Sequence, residues 1–195
     1  MSVEVRPLTG GEIDAAIDDL ARLRIEVFAA YPYLYDGDAA YEAEYLREFV
    51  AAPDAVLVAA FDGTRIVGAA TGSPLDASKQ EFRVPFEKRG IDTATLFYFG
   101  ESVLLPSYRG HGIGHAFFDH REAHARTCGA TAAHFAAVIR PDQHPGKPPG
   151  YVPLVGFWSK RGYVPLPGFV TQLAWKEHGE DGESLKSMQY WLRTL

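Results

Sequence analysis

The sequence predicts an α+β domain, one mixed sheet flanked by helices. Three observations lead there. Runs with strand period and runs with helix period alternate along the chain, an Asp62-Gly63 hairpin signal joins two β-prone runs, and a long apolar strand turns directly into a glycine-rich helix start. With 195 residues, 47% of them hydrophobic and 23% charged, the chain is large enough for one domain over 1–195 with a core of its own.

Taken in order, Val3 to Pro7 alternates apolar and charged residues as a first strand does. Ile13, Ile17, Leu20, Leu23 and Val27 then repeat at the spacing of one helix face, ending before Pro32. Tyr31 to Asp38 is rich in turn residues, and a second helix follows with Tyr41, Tyr45 and Phe49 spaced by four, a stripe that reads as core. Ala55 to Phe61 and Arg65 to Ser73 form the hairpin, and Ser73 to Thr95 reads as a loop with at most one helical turn. Leu96 to Leu105 is the central strand. A helix begins near Gly112 or Ile113, runs to about Thr127 and is capped by Gly129. Thr131 to Ile139 is a strand, and Arg140 to Pro153, dense in Pro and Gly, reads as a functional or lid-like loop. Phe169 to Lys176 and Ser187 to Arg193 close the sheet. The alternation of Met188, Tyr190 and Leu192 favours strand over helix for the last.

Composition excludes several classes. A net charge of −6 is the wrong sign for nucleic acid or an anionic membrane and favours a cationic substrate. No apolar run approaches the ~20 residues that span a bilayer, Met1 to Arg6 lacks the order of a secretion signal, and Cys128 is the sole cysteine. The expectation is a cytoplasmic protein.

Gly110, Gly112 and Gly114 alternate directly after the apolar strand. Their backbone N–H groups are uncovered by Cβ atoms, so an anion can rest on them at the helix N-terminus. A Rossmann fingerprint would need glycine where His115 stands, and no Gly-Lys-Ser or Gly-Lys-Thr of a P-loop is present. What remains is Arg109-x-x-Gly112-x-Gly114. In the setting Val-Leu-Leu-Pro-Ser-Tyr-Arg-Gly-His-Gly-Ile-Gly it resembles the coenzyme A signature of the GNAT superfamily of N-acetyltransferases. Phe157-Trp158-Ser159-Lys160-Arg161-Gly162-Tyr163 is similar to that family's second motif.

The resemblance implies the GNAT fold with splayed central strands and acetyl-CoA as co-substrate, with no metal. It places the pyrophosphate on Arg109, Gly110, His111, Gly112, Ile113 and Gly114, and the pantetheine arm on the backbone of Ser102, Val103, Leu104 and Leu105. Trp158 and Lys160 complete the cofactor side, and a strand N–H near Val103 would stabilise the oxyanion. The reaction implied is direct acetyl transfer to a primary amine in a ternary complex. The partner would be a small-molecule or peptide amine, and a homodimer is left open.

Such an amine is protonated near neutral pH, so a base is needed. Glu101 is the candidate: strict alternation puts it with Phe97, Phe99, Val103 and Leu105, where desolvation would raise its pKa. The competing reading is an acid beside Gly100 that is exposed or paired with an arginine. Where the family places a tyrosine this chain has Trp158, which has no oxygen to donate a proton, so Tyr151 or water would serve instead. Tyr33, Tyr35 and Asp36, with Asp38, lie where the family walls its acceptor site. They read either as a clamp for a cation or, the preferred reading, as a solvated turn. His120 and His124 lack the Glu and the third ligand of a zinc site, and Cys128 at a helix C-terminus is no nucleophile. A non-catalytic acyl-CoA sensor of the same fold is the alternative that Trp158 keeps open.

Overall fold

The computed structural model describes residues 3–8 and 11–195. Met1 and Ser2, which open the stretch read for a secretion signal, lie outside the described residues, as do Thr9 and Gly10. Its strands are β1 (Val3–Pro7), β2 (Val56–Asp62), β3 (Arg65–Pro74), β4 (Leu96–Leu104), β5 (Ala132–Val138), β6 (Val164–Trp175) and β7 (Ser184–Thr194). The helices are α1 (Gly11–Phe28), α2 (Ala39–Val50), α3 (Gln80–Glu87), α4 (Ile113–Thr127) and α5 (Val155–Lys160).

One seven-stranded sheet has the order β1-β2-β3-β4-β5-β7-β6. Neighbours are antiparallel except β4 and β5, which run parallel. Those two pair only at Leu96↔Ala132, Phe97↔Ala133 and Tyr98↔His134. Beyond Tyr98 they diverge, opening a V in the middle of the sheet. Parallel strands need a crossover, and α4 supplies it.

Successive residues of a strand point to opposite faces. Glu101 reaches Arg24 of α1 while Ser102 bonds Arg121 of α4, so these two helices cover opposite faces of β4. α2 packs beside α1, and Asp38 caps it by accepting the Tyr41 N–H at 2.9 Å.

Three expectations need correction. The segment from Ser73 to Thr95 contains α3 despite Pro85, because Phe82 and Phe86, one turn apart, are buried in a second core with Tyr98, Phe169 and Tyr190. Tertiary packing there outweighs the helix-breaking proline. β6 begins at Val164 rather than Phe169. Its pairing with β7 is interrupted between Pro165 and Val170, which hides the first part from a period-two reading. The Tyr41, Tyr45, Phe49 stripe is core only in part: Tyr45, half-buried, packs against the core, whereas Tyr41 is 59% exposed and Phe49 is half-buried. The buried positions of α2 are Glu42, Ala43 and Leu46 instead.

The Pro-rich segment 140–153 packs on the connection between α1 and α2. Arg140 donates to the carbonyls of Pro32 (2.7 Å) and Tyr33 (3.2 Å) and pairs with Glu177, and the Tyr151 ring meets Tyr31 edge-on at 4.7 Å.

Candidate active site

The site grows from an irregularity in β4. Ala70 pairs with Ser102 and Gly72 with Phe99, so Thr71 alone faces both Gly100 and Glu101. The extra residue breaks the ladder and leaves backbone groups without strand partners. Thr71 Oγ1 accepts the Glu101 N–H at 3.2 Å. A Cβ on residue 100 would lie 2.6 Å from that same oxygen, which explains the glycine. Arg121, fully buried in α4, donates through Nη1 to the carbonyls of Thr71 and Glu101, both at 3.1 Å, and through Nη2 to Ser102 Oγ at 2.8 Å. Among the described residues, no carboxylate forms an ion pair with it. It lies over Phe99 and Phe118, and burial lowers its pKa to about 10.

The irregularity also shifts the alternation. Phe97 and Phe99 face His124 and Phe118 of α4, whereas Glu101 faces α1, so Glu101 does not share their face. Nor is it an isolated carboxylate. Its Oε2 lies 2.6 Å from Arg24 Nη1, an ion contact whose angle is not that of a hydrogen bond. Arg24 Nε bonds Glu42, and Glu42 also accepts the Tyr35 hydroxyl at 2.5 Å. Burial opposes the charge of Arg24, but Glu101, Tyr45 and Glu42 outweigh it and hold the guanidinium above the usual arginine range. Around this trio, burial pushes the Tyr33 phenol up to about 12 and raises Tyr45 and Tyr98 further, so all three stay neutral.

A cavity of about 610 Å³ runs through the V between β4 and β5. Arg24, Glu42, Tyr45 and Glu101 line it on the α1–α2 side; Phe118, Arg121, Leu154 and Trp158 line it on the α4–α5 side. The Leu105 N–H donates to Val67 of β3 at 3.0 Å. By the period of two, Val103 also turns its N–H to β3, and the N–H groups facing the V are those of Ser102 and Leu104. Ser102 and Leu104, on either side of Val103, thus present the N–H groups nearest the position where a donor was expected.

The elbow before α4 is an open cradle. Gly110 and Gly112 both have φ of +82°, and a Cβ at either would meet nothing within 4 Å. Among the described residues, no backbone N–H from Gly110 to Gly114 has an acceptor. Orphan amides converging at a helix N-terminus fit a diphosphate. The unpaired edge of β4 that leads from this cradle to Glu101 fits an extended amide-bearing arm.

A profile of the acetyltransferase (GNAT) family matches residues 19–147. The chain belongs to the GNAT acetyltransferase family. No curated protein sequence matches it. Similar solved structures include yncA of Salmonella typhimurium with its cofactor acetyl-CoA (10% identity, TM-score 0.63, covering 100% of this chain and 95% of that one). The ribosomal-protein-alanine N-acetyltransferase of Brucella melitensis is 12% identical (TM-score 0.64, 98% and 99%). An aminoglycoside 6'-N-acetyltransferase complexed with coenzyme A is 18% identical (TM-score 0.61, 100% and 97%). At these identities the likeness is one of fold. The GNAT reaction is acetyl transfer with acetyl-CoA as co-substrate.

Other residues expected to serve a GNAT site are divided by the structure. Tyr33 and Tyr35 line the cavity; Asp36 is held at the surface by Lys176 (2.9 Å), and Asp38 is spent on the α2 cap. Trp158 lines the cavity while packed on Phe135 and Trp191, and Lys160 is exposed at the end of α5. Tyr151 is not among the residues lining the cavity. Arg161 pairs with Asp119 (2.6 Å) and Glu122 (3.1 Å) and ties α5 to α4. His120 and His124 each meet a backbone carbonyl, of Val5 and Asp54. The Cys128 thiol is raised by burial first and Asp54 second. Among the described residues, no cluster suits a metal ion and no helix is long and apolar enough to cross a membrane.

Sequence reading missed Arg24, Glu42 and Arg121. The signal was there: Arg24 falls four after Leu20, and Arg121 four after Phe117, each a cation on the apolar stripe of its helix.

Proposed function

We propose that this GNAT protein transfers the acetyl group of acetyl-CoA to a primary amine, directly, with both substrates bound at once. The observation carrying this is the cavity through the V, because it joins the face of the phosphate cradle to the face of Glu101. Acetyl-CoA, when bound, supplies a thioester carbonyl: an N–C bond forms, the C–S bond breaks, the amine loses a proton and the sulfur gains one.

The chain's own groups divide the work. The Gly110–Gly114 amides and Arg109 hold the diphosphate, with the α4 dipole favouring its charge. The Ser102 and Leu104 backbone groups on the open edge hold the arm and present donors fixed before reaction, so little reorganisation is needed as negative charge develops. Arg121 keeps those donors in place by bonding the bulge carbonyls. Glu101 draws in the ammonium and accepts its proton, directly or through water. Trp158 shapes the cavity and offers no proton, so water is the source for the sulfur.

Thiol release from acetyl-CoA, followed against a panel of primary amines, tests this. Amine-dependent release that Glu101→Gln slows supports it. Firm CoA binding with no release for any amine would favour the sensor reading instead.

A further inference from the structure

We propose that the acceptor is a monoamine with a flat apolar body, seated on the α1–α2 side of the cavity with its ammonium against Glu101. This rests on the transferase reading for its consequence, but its grounds are the charges and walls of the cavity.

Arg24 is one cation between two carboxylates, Glu42 and Glu101, whose side chains are 1% and 7% exposed. The trio therefore carries one net negative charge, out of bulk water. Glu101 Oε1 has no hydrogen-bond or ion partner among the described residues. Buried charge left uncompensated is costly, so a site of this kind favours one further cation. Neighbouring cations do not fill that role. Arg121 lies across β4 and bonds the Glu101 carbonyl rather than its carboxylate, and Lys79 pairs with Glu48 at 3.3 Å.

The walls decide what the rest of the acceptor looks like. Phe28, Tyr33, Tyr45, Phe82, Tyr98 and Trp175 line this side, and rings of that number favour a planar apolar body. The hydroxyls of Tyr33, Tyr45 and Tyr98 make no hydrogen bond among the described residues, so a single polar substituent would find a donor. Beyond the trio and Arg121, the charged lining residues are Lys79, Glu81 and Glu183, of which the two carboxylates are exposed. A polyamine would find the other buried carboxylate, Glu42, already taken by Arg24 and Tyr35, and a peptide would bury backbone amides with few partners.

The test is calorimetric binding of 2-phenylethylamine, tryptamine, spermidine and a lysine-containing tripeptide to the full chain, with and without saturating CoA, alongside thiol release. The expected result is binding of the aryl amines at least about 10-fold tighter than of spermidine or the tripeptide, with Glu101→Gln weakening it about 10-fold or more. Should that variant fold poorly, Trp175→Leu is expected to reduce the aryl preference alone. Aryl-amine binding without thiol release would uphold this assignment and remove the transferase reading. Thiol release with spermidine or the tripeptide as best acceptor would do the reverse. Absence of binding by every amine, or aryl binding unchanged in Glu101→Gln, would overturn the assignment.

Discussion

Arg121 Nη2 stands 2.8 Å from Ser102 Oγ, the central helix of one face reaching the strand that borders the V. The same side chain donates to two carbonyls that the β4 irregularity deprives of partners, so one residue holds the shape of the opening.

Replacing Arg121 by Met keeps the bulk and orphans three acceptors. Unfolding in urea is expected to show a loss of about 2–3 kcal/mol. Arg121→Lys keeps the charge but not the fork that spans those acceptors. It should lose less stability yet lower kcat more than it raises KM, because the displaced Ser102 N–H matters most as charge develops.

Glu101→Gln removes charge and basicity while preserving shape. Steady-state kinetics should show kcat/KM for the amine falling about 100-fold. CoA affinity by calorimetry should hold within about twofold, since the cradle is separate from the Arg24 network.

The cradle predicts its own failure. Gly112 has φ of +82°, a conformation that costs an alanine about 1–2 kcal/mol. Gly112→Ala should weaken CoA binding by roughly tenfold or more, the Cβ entering the space left for phosphate. Thermal unfolding separates the strain from the binding loss.

His134 gives a pH signature. Buried in β5 beside Phe86, Tyr98 and Tyr190, with neither ring nitrogen partnered among the described residues, it has its pKa lowered by burial from 6.5 to about 3. The unfolded chain therefore binds a proton between these values that the folded chain does not. Stability from this group is fully present above about pH 6.5 and is lost as pH falls toward 3. The slope is at most about 1.4 kcal/mol per pH unit. Denaturation midpoints across that range should show it, and His134→Leu should flatten it.

The sequence by itself determined the family, the hairpin, the glycine elbow before α4 and, α3 apart, the order of the elements. Those depend on local chemistry: period-two and period-four spacing, glycines that accept positive φ, and a strand ending where a helix begins. The side on which Glu101 lies, and what meets it there, was decided only by tertiary structure. One extra residue opposite Thr71 shifts every later side chain of β4 relative to the earlier ones, and alternation along the sequence carries no mark of that shift. Arg24, Glu42 and Glu101 come from two helices and a strand, far apart in the chain, and their shared charge exists only once the fold has buried them together. The burial of Phe82 and Phe86 likewise made a helix of a proline-bearing stretch, since the energy that forms it comes from partners elsewhere in the chain.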